Sequence, residues 1–118
     1  MKLRIRIKDE VAFATLNNTQ TAREFAALLP LTLTMKDLLR REKYAGLVTP
    51  LSTKAPHTSR YEVGDIAYWS PSHDVAIYYR QDGETIPAPG VITIGRLDGG
   101  VELFNVSGSV TVTIETAK

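Results

Sequence analysis

Two segments at opposite ends of this 118-residue chain alternate with a period of two. At the start, Leu3, Ile5 and Ile7 interleave with Lys2, Arg4, Arg6 and Lys8; near the end, Val110, Val112 and Ile114 interleave with Thr111, Thr113 and Glu115. Successive side chains of a strand leave on opposite faces, so this spacing predicts two half-buried strands, residues 2–8 and 109–115. A basic outer row and an acidic, threonine-rich outer row make compatible neighbours. The two strands are therefore expected to zip together and help seal one sheet around an apolar interior.

The segments between them complete a mainly β pattern. Asp9-Glu10 can turn the first strand into a second, residues 11–16, with Ile7 opposite Ala12 and Ile5 opposite Ala14. That register sets Phe13 beside the basic row, where something should cover it. Asn17-Asn18-Thr19 offers capping oxygens to a helix over 20–29, whose Ala22, Phe25, Ala26 and Leu29 form an apolar stripe. Pro30 ends it, because a residue before proline is driven out of the α region. Residues 31–35 read as a strand, 36–44 as a charged helical turn, and 46–64 as a long irregular connection. Strands follow at 65–69, 75–80 and 91–97, with a short segment at 101–106. Many short strands, one helix and no strand–helix alternation predict a closed antiparallel β-barrel with one capping α-helix, since closure leaves no unpaired edge.

One domain spanning 1–118 is expected, because this length buries a single core. Residues are 43% hydrophobic and 23% charged, which is too apolar for disorder. Net charge is +1, although residues 1–60 carry +6 and residues 61–118 carry −5. Such halves neutralise each other in a compact fold, so neither nucleic acid nor an anionic membrane is expected as a partner. With no cysteine, disulfides, thiolate metal sites and cysteine nucleophiles are excluded. No apolar run reaches signal-peptide or membrane-helix length, and a cytoplasmic location is the expectation.

Several ordered segments resemble small bacterial cyclophilin-like proteins. They are Met1-Lys2-Leu3-Arg4-Ile5, Thr21-Ala22-Arg23, residues Leu29 to Met35, Glu42-Lys43-Tyr44, residues Tyr61 to Trp69, and Ile94-Gly95-Arg96. The resemblance spans nearly the whole chain and implies a closed cyclophilin-like barrel with a helix over one opening. It implies little about activity. The phenylalanine–histidine–arginine signature of prolyl isomerases and their glycine-rich motif are absent, so no isomerase residue is carried across and no catalytic residue is named.

Aromatic residues supply the candidate site. Tyr68, Trp69 and the run Val75 to Tyr79 read either as a pocket wall, with rings for apolar area and polar tips to orient a ligand, or as barrel core. Tyr44 and Tyr61 fall in or beside the irregular region and are the better pocket candidates. Arg96 follows Gly95 at the end of an apolar strand; its planar fork either binds a carboxylate or phosphate, or pairs with Asp65 or Asp98. Gly64-Asp65 reads as turn chemistry. Ser70-Pro71-Ser72-His73-Asp74 has the letters of a catalytic triad, but neighbours in one tight turn do not converge as a triad must. His57 and His73 lack paired metal-ligand spacing, so no metal is expected. No glycine-rich phosphate loop is present, and no cofactor is expected.

The leading expectation is a binding module. Tyr44, Tyr61, Tyr68, Trp69 and Arg96 would line a pocket at a barrel end and hold a small organic molecule or short peptide. Two rivals stand beside it. One is a peptidyl-prolyl isomerase-like enzyme, tested by proline-peptide turnover; the other is a structural or subunit role, favoured by a stable oligomer that buries the Tyr/Trp surface. The sequence sets neither ligand nor oligomeric state.

Overall fold

The computed structural model describes residues 1–117. Eight strands alternate with few helical elements: β1 (Lys2–Ile7), β2 (Glu10–Leu16), α1 (Gln20–Ala27), β3 (Leu31–Leu38), β4 (Glu42–Gly46), β5 (Asp65–Trp69), β6 (Asp74–Tyr78), β7 (Ile92–Leu97) and β8 (Val110–Thr116). They close into one barrel in the order β1-β2-β7-β5-β6-β4-β3-β8, every neighbouring pair antiparallel. The first and last strands are neighbours, as the alternation predicts. Ile5 faces Ile114 and Ile7 faces Val112, and all four are buried. Outside, Glu115 accepts from Arg6 at 2.8 Å and lies 3.5 Å from Arg4. These bridges are exposed enough to add little stability. The driving force is inside, where each buried aliphatic side chain contributes about 1.5–3 kcal/mol.

The β1–β2 register differs from expectation by an even number. Ile7 pairs with Glu10, Ile5 with Ala12 and Leu3 with Ala14, because Lys8-Asp9 makes the turn, Lys8 taking φ 55°. An even shift leaves every side chain on its expected face, so Ala12, Ala14 and Leu16 still point inward. Phe13 remains half-exposed and is covered by the Arg4 guanidinium, 5.9 Å from its ring centre.

Helix α1 starts where the capping residues indicate, Thr19 Oγ1 accepting from the Ala22 amide at 3.1 Å. It ends at Ala27, two residues short of expectation. Ala22 and Phe25 are fully buried within the barrel's core cluster, with Ala26 and Leu29 packed against it. Within the expected short segment 101–106, residues 101–104 form a 3-10 turn. On β7, a Cβ at Gly95 would lie 2.6 Å from the Thr15 carbonyl oxygen. Glycine is what lets the short β2–β7 seam close there.

The larger correction concerns residues 36–44, which are not a helical turn. β3 runs on to Leu38, the chain reverses through Leu39 and Arg40 (φ 58° and 51°), and β4 returns beside it. Strand alternation then sends Glu42 and Tyr44 outward and Lys43 and Ala45 inward. Lys43 is completely buried. Its ammonium spends all three protons: on Asp37 Oδ1 at 3.0 Å and on the Val106 and Gly108 carbonyls, each at 2.6 Å. The Tyr79 ring lies 5.4 Å away, and its hydroxyl donates to the same Asp37 oxygen.

A candidate ligand groove on the outer wall

The outer faces of β4, β6 and β5 meet in rows. Asp74 stands opposite Trp69, Ala76 stands between Tyr44 and Ala67, and Tyr78 stands opposite Glu42. Small residues at the centre and large ones around them leave a depression. Residues 84–87 and Val91 wall it on the other side, Ile86 and Val91 packing with Ala67, Ala76, Tyr78 and Tyr61 in a second apolar cluster distinct from the barrel core. The resulting groove has a volume of about 580 Å³, within the usual range for small-ligand sites.

One end of the groove is polar. Arg41 and Glu42 are both buried, joined Nη2 to Oε1 at 2.9 Å, and Asp82 lies 3.5 Å from Arg41 Nη1. The guanidinium stands 5.5 Å from the Tyr61 ring and 5.9 Å from the Tyr78 ring, which stack on each other at 4.2 Å. Arg41 Nε is buried with no hydrogen-bond partner among the described residues. Burial, reinforced by Glu42 beside it, drives the Tyr78 phenol well above its ordinary pKa, so it stays protonated.

The turn that delivers Arg41 is strained and firmly held. Left-handed backbone at Leu39 and Arg40 costs on the order of 1–3 kcal/mol per residue. Against that, Asp37 accepts from the Arg40 amide at 3.0 Å, Arg80 Nε donates to the Arg40 carbonyl at 2.7 Å, and the Tyr79 and Arg80 amides donate to the Arg41 carbonyl. Leu38 and Leu39, both exposed, form the groove's lip at this end. Tyr61 pins the facing loop, its hydroxyl donating to Asp82 Oδ1 at 3.0 Å and accepting from the Asp82 amide at 3.1 Å.

The five residues expected to share one barrel-end pocket are thus divided. Tyr44 and Trp69 line the outer-wall groove. Tyr61 stacks behind it on Tyr78 and also borders a second cleft. Arg96 lines that second cleft, of about 650 Å³, where its fork is already engaged by Glu62 at 2.7 Å and Asp65 at 3.0 Å. Of the two readings open for Arg96, internal pairing with Asp65 is the one observed. Tyr68 lies inside the barrel, its hydroxyl accepting from the Leu51 amide at 2.9 Å, and it ties the long connection to the wall. The interior is filled with side chains, and the groove opens on the outer faces of β4, β5 and β6. Ala76 and Tyr78 belong to the Val75–Tyr79 run read as a possible pocket wall, whereas Arg41 and Glu42 were not among the sequence candidates. In the Ser70–Asp74 run, Ser70–Ser72 form a 3-10 turn, and Ser72 Oγ donates to Asp74 Oδ2 at 2.6 Å.

Comparison with known proteins fixes the lineage. The model of the Cyclophilin-like family matches residues 5–115. The chain belongs to this family. The solution structure of the hypothetical protein AF2241 from Archaeoglobus fulgidus is similar to this cyclophilin-like domain with a TM-score of 0.78 and 25% identity, covering 99% of this chain and 95% of that one. The structure of McbB in complex with tryptophan shares the fold at a TM-score of 0.70 and 11% identity, 97% of this chain matching 44% of that one. No curated protein matches the cyclophilin-like chain. Among the described residues, no helix is long and apolar enough to cross a membrane.

Proposed function

We propose that this cyclophilin-like domain is a binding module whose outer-wall groove holds a small organic molecule or short peptide. The observation that carries this reading is the groove itself: an apolar floor at Ala76, aromatic walls at Tyr44, Trp69 and Tyr78, and a polar end at Arg41 and Glu42. Aromatic walls supply apolar contact, and a few convergent polar groups set orientation. Arg41 supports it further. A buried donor with no partner among the described residues is uncommon in a folded chain, and its residue lines the polar end of the groove. The cleft at Arg96 is the weaker candidate because its charged groups already satisfy one another.

Ligand-detected NMR against a library of metabolites and short peptides tests the reading, with Ala76→Leu as the control. The added carbons enter the groove floor without removing a polar contact. Hits on the native protein are expected to bind the variant at least about tenfold more weakly, the loss of one well-placed apolar contact region. No hits, or hits that bind the variant equally well, would overturn the proposal.

A further inference from the structure

The charge around the groove is one-sided. Lining it are Glu42, Asp74 and Glu84, against the single cation Arg41. Arg41 is itself matched by Glu42 at 2.9 Å and by Asp82 at 3.5 Å, so its field is cancelled before it reaches an occupant. Arg40, on the turn, and Arg80, just past the end of β6, do not line the groove, and Arg80 bonds the Arg40 carbonyl. At the opposite end, Asp74 pairs directly across the sheet with Trp69, in the row next to Tyr44 and Ala76. Facing residues of paired strands have Cβ atoms only about 5 Å apart, so a carboxylate and an indole share one corner. Aromatic faces and carboxylates both attract cations and repel anions.

We infer that the occupant of the groove is a small organic cation, an amine whose charged end sits at the Trp69–Asp74 corner and whose body runs along Ala76 toward Arg41. This rests on the groove being the binding site. The two ends are separated by the Asp74–Tyr78 strand, about 13 Å at the usual rise per residue, which suits an elongated molecule. At the far end an uncharged group suits the occupant, because a third anion beside Glu42 and Asp82 would be repelled.

Trp69 is the sole tryptophan, so its fluorescence reports on the groove. The probes are N-benzyl-6-aminohexanamide, the neutral N-benzyladipamide and the anionic N-benzyladipamic acid, which differ only in their far end. At low salt the amine is expected to bind at least about tenfold more tightly than the acid, with the neutral amide between. In Asp74→Asn/Glu84→Gln the gap is expected to fall below about threefold. Equal or reversed affinities overturn the cation assignment and leave the groove standing. Failure of all three probes where library molecules do bind overturns it equally. Failure of every molecule removes the groove reading, and this inference with it.

Discussion

Arg41→Ala is expected to lower the stability of the domain by about 3–5 kcal/mol, the cost of removing one member of a buried ion pair. Glu42 is only 4% exposed, so its carboxylate would be stranded beside Tyr78. The paired rings of Tyr61 and Tyr78 would lose the guanidinium that both contact. Most of that loss belongs to the stranded charge and not to the pair's net worth. The double variant Arg41→Met/Glu42→Leu is therefore expected to recover more than half of it. Urea unfolding at pH 7 gives both numbers. A single-variant loss below about 1 kcal/mol would mean the guanidinium is solvated and the polar end of the groove is not built as described.

Lys43→Met retains the apolar stem and deletes the ammonium, and it should cost about 2–4 kcal/mol. Asp37 loses its cation, and the carbonyls of Val106 and Gly108 lose their donor. The same cluster sets a pH dependence. Burial acts to raise the Asp37 pKa, but the Tyr79 and Lys43 hydrogen bonds outweigh it and hold the carboxyl below its usual value. A carboxyl depressed in the fold contributes stability that is complete above its unfolded pKa of about 3.9 and is lost as pH falls through the lower folded value. In Lys43→Met the depression is smaller, so the Asp37 contribution at neutral pH should shrink. Tyr79 acts at the other extreme: burial and Asp37 push its phenol up to about 12. That contribution is complete below the unfolded pKa of about 10 and is lost as pH rises through about 12. Tyr79→Phe should remove this alkaline loss, measured as stability against pH. A pH-independent difference between native and variant proteins would contradict the assignment.

The contrast between β8 and β4 shows what the sequence makes legible. In β8 the inward residues are aliphatic and the outward ones polar, so polarity and geometry agree, and the strand can be read directly. β4 has the same geometry with the polarity inverted: its inward Lys43 is charged, and its outward Glu42 is buried and paired with Arg41. Periodicity cannot find such a strand, because two of the three partners that make a buried lysine tolerable lie some sixty residues away, at Val106 and Gly108. Position within β5 and β6 is hidden for a related reason. Both faces of these strands are covered, so Tyr68 and Trp69 look alike in sequence while one enters the barrel and the other lines the groove. Tyr44 and Trp69 were identifiable as aromatic residues seeking a role. Ala76 was legible only as one residue of the Val75–Tyr79 run, since a floor is recognised by what stands around it.

Backbone amide shifts on titration with a library hit test the central claim most directly. If the outer wall is the site, the shifts gather on residues 41–44, Trp69, 74–78 and 84–91. Shifts gathered instead around Thr15, Asp65 and Arg96, or spread through the packed interior around Tyr68, would contradict it.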